Sequence, residues 1–147
     1  MRTINNLWPR INNLVPSPIC RTFGDDYDSI IWLDDRPMPT ANELEAENPY
    51  RGELLKKINA DVNTYICTHY DLGTQASLQS IYVMDGTPAE VKTTLLGVWS
   101  WIGSMLVYYY AKKTEITESE TPETVTWDFT QFDATDPEVS LQTLISR

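Results

Sequence analysis

Apolar positions at the start of the chain recur in two consecutive copies of a seven-residue pattern, INNLWPR and INNLVPS, which begin at Ile4. Each copy places a leucine, Leu7 or Leu14, ahead of an apolar residue and a proline. Proline has no backbone N–H and clashes inside a helix, so closely spaced prolines favour extended chain. The pattern predicts residues 1–24 to be an extended N-terminal arm, which packs on its own domain or docks on a neighbouring subunit.

The next apolar run, Asp28–Leu33, carries apolar side chains at both odd and even positions. A strand with this pattern is covered on both faces. The DDRP sequence that follows ends the strand as a turn. Thr40 and Glu43 then form a capping box, in which each side chain accepts a hydrogen bond from the backbone amide of the other residue. These signals predict a small strand–helix unit.

From about Pro49 onward, apolar residues recur with the period of an amphipathic helix. The positions that share one face are Leu54, Leu55, Ile58, Val62, Tyr65, Ile66 and His69. The DLGTQ sequence from Asp71 interrupts this helix, and a shorter helix follows and ends at Asp85–Gly86. From Thr87 the sequence TPAE combines an N-cap, a proline at the first helical position and a closing glutamate. These signals predict a helical bundle that extends to Lys113.

The last helix of this bundle combines many aromatic residues with small ones between Leu95 and Ala111. Its main apolar face consists of Val91, Leu95, Val98, Trp99, Ile102, Leu106 and Tyr109. Gly97, Ser100 and Ser104 form an adjacent strip of small residues that lets another helix approach closely. The other faces carry Trp101, Met105, Tyr108 and Tyr110. Because a helix that is apolar on most sides must be buried on several of them, we expect other subunits to supply part of the cover.

After the bundle the sequence changes, because Thr114–Thr124 is acidic, rich in hydroxyl groups and poor in apolar residues. Such a composition is typical of a linker. Val125, Trp127 and Phe129 then alternate with polar residues, which predicts a strand. The remaining residues fit either a short last helix or an extended run, and the pattern leaves both open.

These patterns together predict a mainly helical α+β protein. Its predicted segments are an N-terminal arm at 1–24, a strand–helix unit with a helical bundle at 25–113, and an acidic linker with a strand-containing C-terminal extension at 114–147. A chain of 147 residues is long enough to bury a core without the help of disulfides.

The composition is acidic, with a formal net charge of −10, and the adjacent basic residues are confined to Lys56–Lys57 and Lys112–Lys113. Binding of a nucleic-acid backbone requires a basic surface, so we expect no nucleic-acid partner. Leu95–Ala111 is uncharged, but it is short for a spanning helix and carries aromatic residues at its centre, so we expect no membrane span. The N-terminus lacks the basic and apolar regions of a secretory signal, which predicts synthesis in the cytoplasm.

The sequence contains little that indicates catalysis. It has no phosphate-binding loop, nucleophile elbow or zinc-ligand spacing. The one histidine, His69, lies near a predicted helix end, and the spacing to Cys67 points the two side chains in different directions on a helix. Cys20 and Cys67 fit no metal or redox spacing and are expected to be free thiols, although their pairing stays open. We therefore expect no enzymatic activity, no cofactor and no metal ion.

The sequences YDSIIWLDD, from Tyr27, and PTANELEAE, from Pro39, resemble a module of small proteins that tailed bacteriophages encode among their tail and tail-fibre genes. In that module a strand with a tryptophan precedes a capped helix that begins with glutamate and leucine. The matching residues are Tyr27, Ile30, Trp32, Pro39, Thr40, Glu43 and Leu44. The resemblance is limited to this stretch and brings no catalytic position with it.

The resemblance implies a structural component of a bacteriophage virion, in the tail, the neck or the fibre attachment, which acts by docking between subunits. The alternative is a tail-fibre assembly chaperone that is absent from the mature particle. The expected partners are further copies of the chain and other virion proteins, and the expected location is the virion after synthesis in the host cytoplasm. The apolar residues predicted to form interfaces are Leu7, Trp8, Leu14, Val98, Trp99, Trp101, Ile102, Met105, Leu106, Tyr108, Tyr109, Tyr110, Trp127 and Phe129.

Overall fold

The structure, a computed structural model, describes residues 1–145, with side chains as far as Leu144. Over this range the protein is a mainly helical α+β fold with one two-stranded antiparallel sheet, which confirms the predicted fold class. The elements in chain order are α1 (Leu7–Leu14), β1 (Cys20–Arg21), β2 (Ile31–Trp32), α2 (Ala41–Ala46), α3 (Arg51–His69), α4 (Leu72–Val83), α5 (Ala89–Glu118) and α6 (Leu141–Ile145). Short 3₁₀ segments lie at Tyr27–Ser29, Pro122–Thr124 and Phe129–Thr135.

The chain divides into two compact units. Unit 1 consists of Met1–Lys56 and Thr114–Val125, and unit 2 consists of Lys57–Lys113 and the residues from Thr126 onward. The division differs from the three predicted segments, because residues 1–24 belong to the same unit as the strand–helix module that follows them.

The N-terminal residues are not the extended arm that the prolines predicted, since α1 occupies the middle of that segment. Pro9 lies in the first turn of α1, where backbone N–H groups have no partner within the helix, so its missing N–H breaks no hydrogen bond. The Asp25 carboxylate accepts a hydrogen bond from the Leu7 amide at 3.1 Å and satisfies one free donor of that turn. The buried residues of this segment are Ile4, Leu7, Ile11 and Val15.

The predicted strand Asp28–Leu33 is reduced to the short β2, because a 3₁₀ turn occupies its first residues. In the antiparallel ribbon that β2 forms with β1, Cys20 lies opposite Trp32 and Arg21 lies opposite Ile31. Trp32 packs on the core of unit 1, whereas Ile31 and Leu33 are 46% and 61% exposed. The expectation of a strand covered on both faces is wrong, since alternate side chains of a strand point to opposite faces and this ribbon has a core on one face only.

The predicted capping box is present at the start of α2. The Thr40 hydroxyl accepts a hydrogen bond from the Glu43 amide at 3.2 Å, and the Glu43 carboxylate accepts from the Thr40 amide at 3.4 Å. At the other end of α2 the Arg10 guanidinium donates to the carbonyls of Leu44 at 3.1 Å and Glu45 at 3.2 Å, and also to the carbonyl of Glu47. A helix this short leaves most of its terminal backbone groups unpaired, and side chains satisfy them here.

The helices of unit 2 are present where the pattern predicted them, but the predicted inner face of α5 is partly wrong. Trp101 and Met105, expected on other faces, are buried, whereas Trp99, Ile102 and Leu106 are only half-buried. The buried face of α3 consists of Ile58, Val62 and Ile66, which all belong to the predicted face. The predicted interruption at DLGTQ is confirmed, since α3 ends at His69 and α4 begins at Leu72, where the Asp71 side chain caps the new helix by accepting from the Thr74 amide at 2.7 Å. The predicted long helix is present as α5.

The C-terminal part of α5 lies in unit 1 and extends to Glu118, beyond the predicted end at Lys113. Ile116 is fully buried. The Arg51 guanidinium donates to the carbonyls of Ile116 and Thr117, with a distance of 2.9 Å to the Thr117 oxygen. The buried Ile116 side chain and the hydrogen bonds from Arg51 to the terminal carbonyls stabilise this last part of the helix. The composition of the same segment had predicted a linker.

The strand predicted from Val125, Trp127 and Phe129 does not form, and the described residues after β2 contain no strand. The Trp127 indole N–H instead donates to the Asp61 carboxylate on α3 at 2.9 Å. Phe129 is 5% exposed and begins a 3₁₀ segment. The alternating apolar residues therefore attach an irregular segment to helices, because no neighbouring strand is placed to pair with it.

The end of the chain, which the pattern left open, is the short helix α6, while residues 146–147 lie outside the described range. Cys20 and Cys67 are half-buried free thiols. None of the helices in residues 1–145 combines the length and the apolar character that a membrane crossing requires.

Candidate functional site

The inner side of α5 in unit 2 is a fully formed core surface. Its buried residues, all at most 8% exposed, are Val91, Leu95, Val98, Trp101, Met105 and Tyr109. The Trp101 indole N–H donates to the Phe132 carbonyl at 2.9 Å, and its ring centroid lies 5.0 Å from that of His69 and 5.7 Å from that of Tyr70. The aromatic content near residue 100 is thus used largely within the chain itself.

The outer side of α5 has a different character, and we call it the docking face. It consists of Thr93, Leu96, Ser100, Gly103, Val107 and Tyr110, which recur at helical spacings of three and four residues. Leu96, Val107 and Tyr110 are 52%, 70% and 58% exposed. No charged residue occurs from Thr93 to Ala111, so this face is neutral over its whole length. An exposed neutral helix face with large apolar side chains is typical of a surface that binds another protein.

The centre of the docking face is flat because its residues are small. Ser100 is exposed, and a Cβ atom added at Gly103 or at the neighbouring Gly97 would have no atom within 4 Å. The hydroxyl of Ser104 donates to the Ser100 carbonyl at 3.0 Å, so this polar group is satisfied within the helix. The Thr93 hydroxyl of the docking face likewise donates to the Ala89 carbonyl at 3.0 Å, and the small side chains at the centre admit a close neighbour.

A groove of about 450 Å³ runs beside the small residues of α5. Its floor is formed by Gly97, Ser100 and Ser104, and its other wall by the 3₁₀ segment that contains Phe132. The hydrogen bond from Trp101 to the Phe132 carbonyl holds this wall in place. The strip of small residues recognised in the sequence is thus an accessible surface in unit 2.

The fourteen residues predicted to form interfaces fall into three groups. Those buried by the chain itself are Leu7, Val98, Trp101, Met105, Tyr109 and Phe129. The half-buried ones are Trp99, Ile102, Leu106, Tyr108 and Trp127. Trp8, Leu14 and Tyr110 are exposed. The first group is a correction, since side chains already packed in a core have no surface left for a partner, and the prediction stays open for the other two groups.

Leu96 and Val107 lie on the docking face and were missing from the predicted interface. Both lie on the same side of the helix as Ser100, which the sequence identified as part of a small-residue strip. That strip was the available signal, because small residues in a helix core leave voids and are more often found where a second helix approaches.

A second feature of unit 2 is a polar group of side chains, which we call the histidine cluster: Tyr65, His69, Tyr70, Asp133 and Asp136. His69 Nδ1 lies 2.6 Å from Asp136 Oδ2, and His69 Nε2 lies 3.4 Å from Asp133 Oδ1. The Tyr70 hydroxyl donates to Asp136 Oδ1 at 2.6 Å, and the Tyr65 hydroxyl donates to Asp133. The cluster joins the end of α3 to the segment between Asp133 and Val139. The Val139 amide also donates a hydrogen bond to the Tyr70 hydroxyl, at 3.1 Å.

The titration of the histidine cluster follows from its burial and hydrogen bonds. Burial alone would raise the pKa of Asp136, but hydrogen bonds from the Tyr70 hydroxyl, the Glu138 amide and His69 outweigh it and lower this pKa below its ordinary value. Burial, followed by the hydrogen bond to Asp136, raises the pKa of Tyr70 to about 12. Burial and the bond to Asp133 raise the pKa of Tyr65 as well. Asp136 is thus an ionised acceptor and the two phenols are neutral donors at physiological pH.

The geometry of the histidine cluster favours a structural role over catalysis. Both ring nitrogens of His69 face carboxylates, so neither is directed at a hydroxyl or thiol that it could activate. Within residues 1–144, no three His, Cys, Asp or Glu side chains are arranged to hold a metal ion. The cluster therefore fastens the C-terminal segment to α3. Sequence reasoning missed it because its two halves are separated by more than 60 residues.

In unit 1 the residues that carry the bacteriophage resemblance serve the unit's own packing. The Tyr27 hydroxyl donates to the Pro39 carbonyl at 3.2 Å, and the Trp32 indole N–H donates to the Arg36 carbonyl at 2.8 Å. The side chains of the module that pack on the core are Tyr27, Ile30, Trp32 and Leu44. The opposite side of the ribbon, which we call the ribbon face, leaves Ile19, Ile31 and Leu33 exposed.

Comparison with known proteins gives no relative: no protein-family model, no curated protein and no solved structure matches the chain.

Proposed function

We propose that this protein is a structural component of a tailed-bacteriophage virion, in the tail, the neck or the fibre attachment, and that it acts by docking to other subunits. The observation that carries the proposal is the docking face. A chain with a net charge of −10 keeps one helix face free of charge from Thr93 to Ala111 while exposing Leu96 and Val107 on it. Exposed apolar surface without a binding partner is a liability for a protein, so such a face is typical of an assembly subunit.

The ribbon face of unit 1 supports the same function. Ile19 and Leu33 are each 61% exposed and lie side by side, since the Leu33 amide donates to the Ile19 carbonyl at 2.8 Å. A ribbon with one apolar face on the core and a second one exposed is suited to contact a further protein. The virion assignment itself depends on the resemblance of this strand–helix unit to the bacteriophage module. The partners in this proposal are further copies of the chain and other virion proteins.

The proposal includes no enzymatic activity, no cofactor and no nucleic-acid contact. Unit 2 presents its one histidine to carboxylates, and the acidic surface disfavours a phosphate backbone. A His69→Gln chain is expected to assemble like the native chain wherever it folds. If it folds normally but a reaction attributed to the protein is lost, the histidine is catalytic and this part of the proposal is incorrect.

Quantitative mass spectrometry of purified particles tests the virion assignment. We expect the protein at a fixed copy number relative to the other particle proteins, in particles from independent preparations. Its absence from mature particles, together with its recovery bound to fibres from unfinished assemblies, would instead establish the assembly chaperone. The matched variant carries Leu96→Lys and Val107→Lys. Both positions are exposed, so the substitutions should leave the fold intact. They place charges on the docking face, so the variant is expected to be absent from particles.

A further inference from the structure

We infer that the docking face binds the same face of a second copy of this chain, in an antiparallel helix pair that crosses at Ser100 and Gly103. This inference rests on the proposed function only in taking the face to be a docking surface. It names the occupant and the orientation, which the proposed function leaves open.

The sizes of the side chains along the docking face are arranged symmetrically. Leu96 lies four residues before Ser100, and Val107 lies four residues after Gly103. Leu96 and Val107 are both large and exposed. A two-fold axis between Ser100 and Gly103 places Ser100 opposite Gly103 of the second copy and Leu96 opposite Val107 of the second copy. A contact of this kind uses one surface on both subunits, and each small residue at the centre receives the close approach of the other helix.

The charge distribution favours a second copy over a basic partner. Two chains that each carry a net charge of −10 repel one another at long range, and a contact between two surfaces without charge adds no further repulsion to this. The docking face is such a surface, and it offers no carboxylate that would select a basic protein. An acidic face would have indicated the opposite choice.

The orientation follows from the end of the neutral stretch and from the helix dipole. Lys112 and Lys113 follow directly after Ala111. A parallel pair would bring these lysines against the same lysines of the second copy, and would also align the two helix dipoles unfavourably. An antiparallel pair with this crossing brings the lysines instead to the start of α5 of the second copy, which carries Glu90 as well as Lys92, and it opposes the dipoles, so it is the favoured orientation.

The size of the face predicts a weak, concentration-dependent dimer. A stretch from Thr93 to Ala111 is about 28 Å long at the rise of an α-helix. One helix pair of that length buries less than the roughly 800 Å² per partner of a standard protein interface. We therefore expect a micromolar or weaker dissociation constant for the free chain, which further contacts in an assembly would strengthen.

Substitution of Gly103 tests the inference without disturbing the monomer. A Cβ atom added at Gly103 meets no atom within 4 Å in the chain itself, and leucine and alanine both favour a helix more than glycine does, so Gly103→Leu and Gly103→Ala should unfold at or above the native transition temperature. In sedimentation equilibrium, the native chain is expected to shift from monomer to dimer as its concentration rises. Gly103→Leu is expected to weaken this dimer at least about tenfold, because it separates the helices at their crossing point. Gly103→Ala removes the glycine in the same way but adds one carbon, and it should weaken the dimer much less.

Cross-linking tests the orientation. In chains with Cys20→Ala and Cys67→Ala, a Ser100→Cys chain mixed with a Gly103→Cys chain should form a disulfide-linked dimer faster than either chain alone. Faster linkage of Ser100→Cys with itself would show a parallel pair and overturn the inference. A native chain that stays monomeric at every concentration, or a dimer unaffected by Gly103→Leu, would also overturn it.

The two proposals fail separately. A monomeric chain that is nevertheless present in particles refutes the second-copy inference and leaves the virion role intact. A chain that dimerises as described but is absent from particles refutes the virion role and leaves the inference intact.

Discussion

The side-chain hydrogen bonds inside unit 1 differ in kind from those inside unit 2. In unit 1, the side-chain bonds that join segments distant in sequence go mainly to backbone groups. Arg10 donates to the carbonyls of Leu44 and Glu45, and Asp25 accepts from the Leu7 amide. In unit 2, the side-chain bonds that join segments distant in sequence run mainly between two side chains, as when His69 and Tyr70 both contact Asp136.

The difference arises from the lengths of the elements. The helices and strands that lie wholly in unit 1 are short, while α3 and α5 extend over both units. Short elements leave many terminal N–H and C=O groups without a partner in the element, and side chains satisfy them. The long helices of unit 2 satisfy their own backbone, so their polar side chains are available to bind a distant segment. Unit 1 should therefore be sensitive to loss of donors to the backbone, and unit 2 to loss of its aromatic and carboxylate groups.

The largest expected effect is that of Trp101→Ala in unit 2. Removal of a large buried ring leaves a cavity and frees the Phe132 carbonyl, at a cost of about 3–5 kcal/mol in the free energy of unfolding. Trp101→Phe retains a ring and should lose roughly 1 kcal/mol for the missing N–H donor. Urea denaturation measures both. A Trp101→Ala chain that keeps its stability but no longer self-associates would show that Trp101 belongs to an interface rather than to the core.

Asp136→Ala should have the next largest effect, because it leaves the Tyr70 hydroxyl and His69 Nδ1 without their acceptor. The expected loss is about 2–4 kcal/mol, by the cost of unpaired buried polar groups. Asp133→Ala is the matched control, since that side chain is 57% exposed and its partner Tyr65 can bind water instead. Equal losses for the two variants would mean that burial of Asp136 does not matter.

The same carboxylate predicts a dependence on pH. The pKa of Asp136 is lower in the folded chain than in the unfolded one, so its contribution to stability is complete above the unfolded value of about 3.9 and disappears as the pH falls through the folded value. The difference in unfolding free energy between the native chain and Asp136→Asn should therefore shrink as the pH falls below about 3.9 and through the folded pKa of Asp136. A difference that does not change with pH would contradict the prediction.

In unit 1, Arg10→Lys tests the bonds to the backbone. The Arg10 guanidinium donates from Nε to the Asn5 carbonyl at 2.8 Å and from Nη1 to the carbonyls at the end of α2, and a single lysine ammonium cannot occupy both positions. We expect a loss of about 1–2 kcal/mol and faster amide hydrogen exchange in α2. Arg2→Lys is the control, because Arg2 forms an exposed ion pair with Glu45 that contributes little. If both variants behave alike, the bonds from Arg10 to the backbone are not what stabilises α2.

The smallest effect is expected for Thr40→Ala, which removes one half of the capping box of α2. The expected loss is about 1 kcal/mol, while Thr40→Ser retains the hydroxyl and should restore most of it. Amide exchange at Glu43 reports the loss directly, since its N–H loses its acceptor. Unchanged exchange in Thr40→Ala would show that the cap is redundant.

The success of prediction varied with the distance over which the deciding interaction acts. The start of α2 depends on Thr40 and Glu43, which are neighbours, and it was predicted correctly. The prolines misled the prediction for α1 because Pro9 lies in the one turn of a helix that tolerates it, and the capping carboxylate of Asp25 is distant in sequence. The strand predicted around Trp127 failed because its indole bonds to Asp61 rather than pairing beside another strand.

The sequence by itself determined the mainly helical fold class, the capped start of α2, the buried face of α3 and the existence of the long helix α5. Those features depend on periodicity and on caps, which act within a few residues. Only the tertiary structure decided which side of α5 is core and which is the docking face, and that His69 binds Asp136. A helix that is apolar around most of its circumference does not indicate its own inner side, because that choice depends on the segments that pack against it.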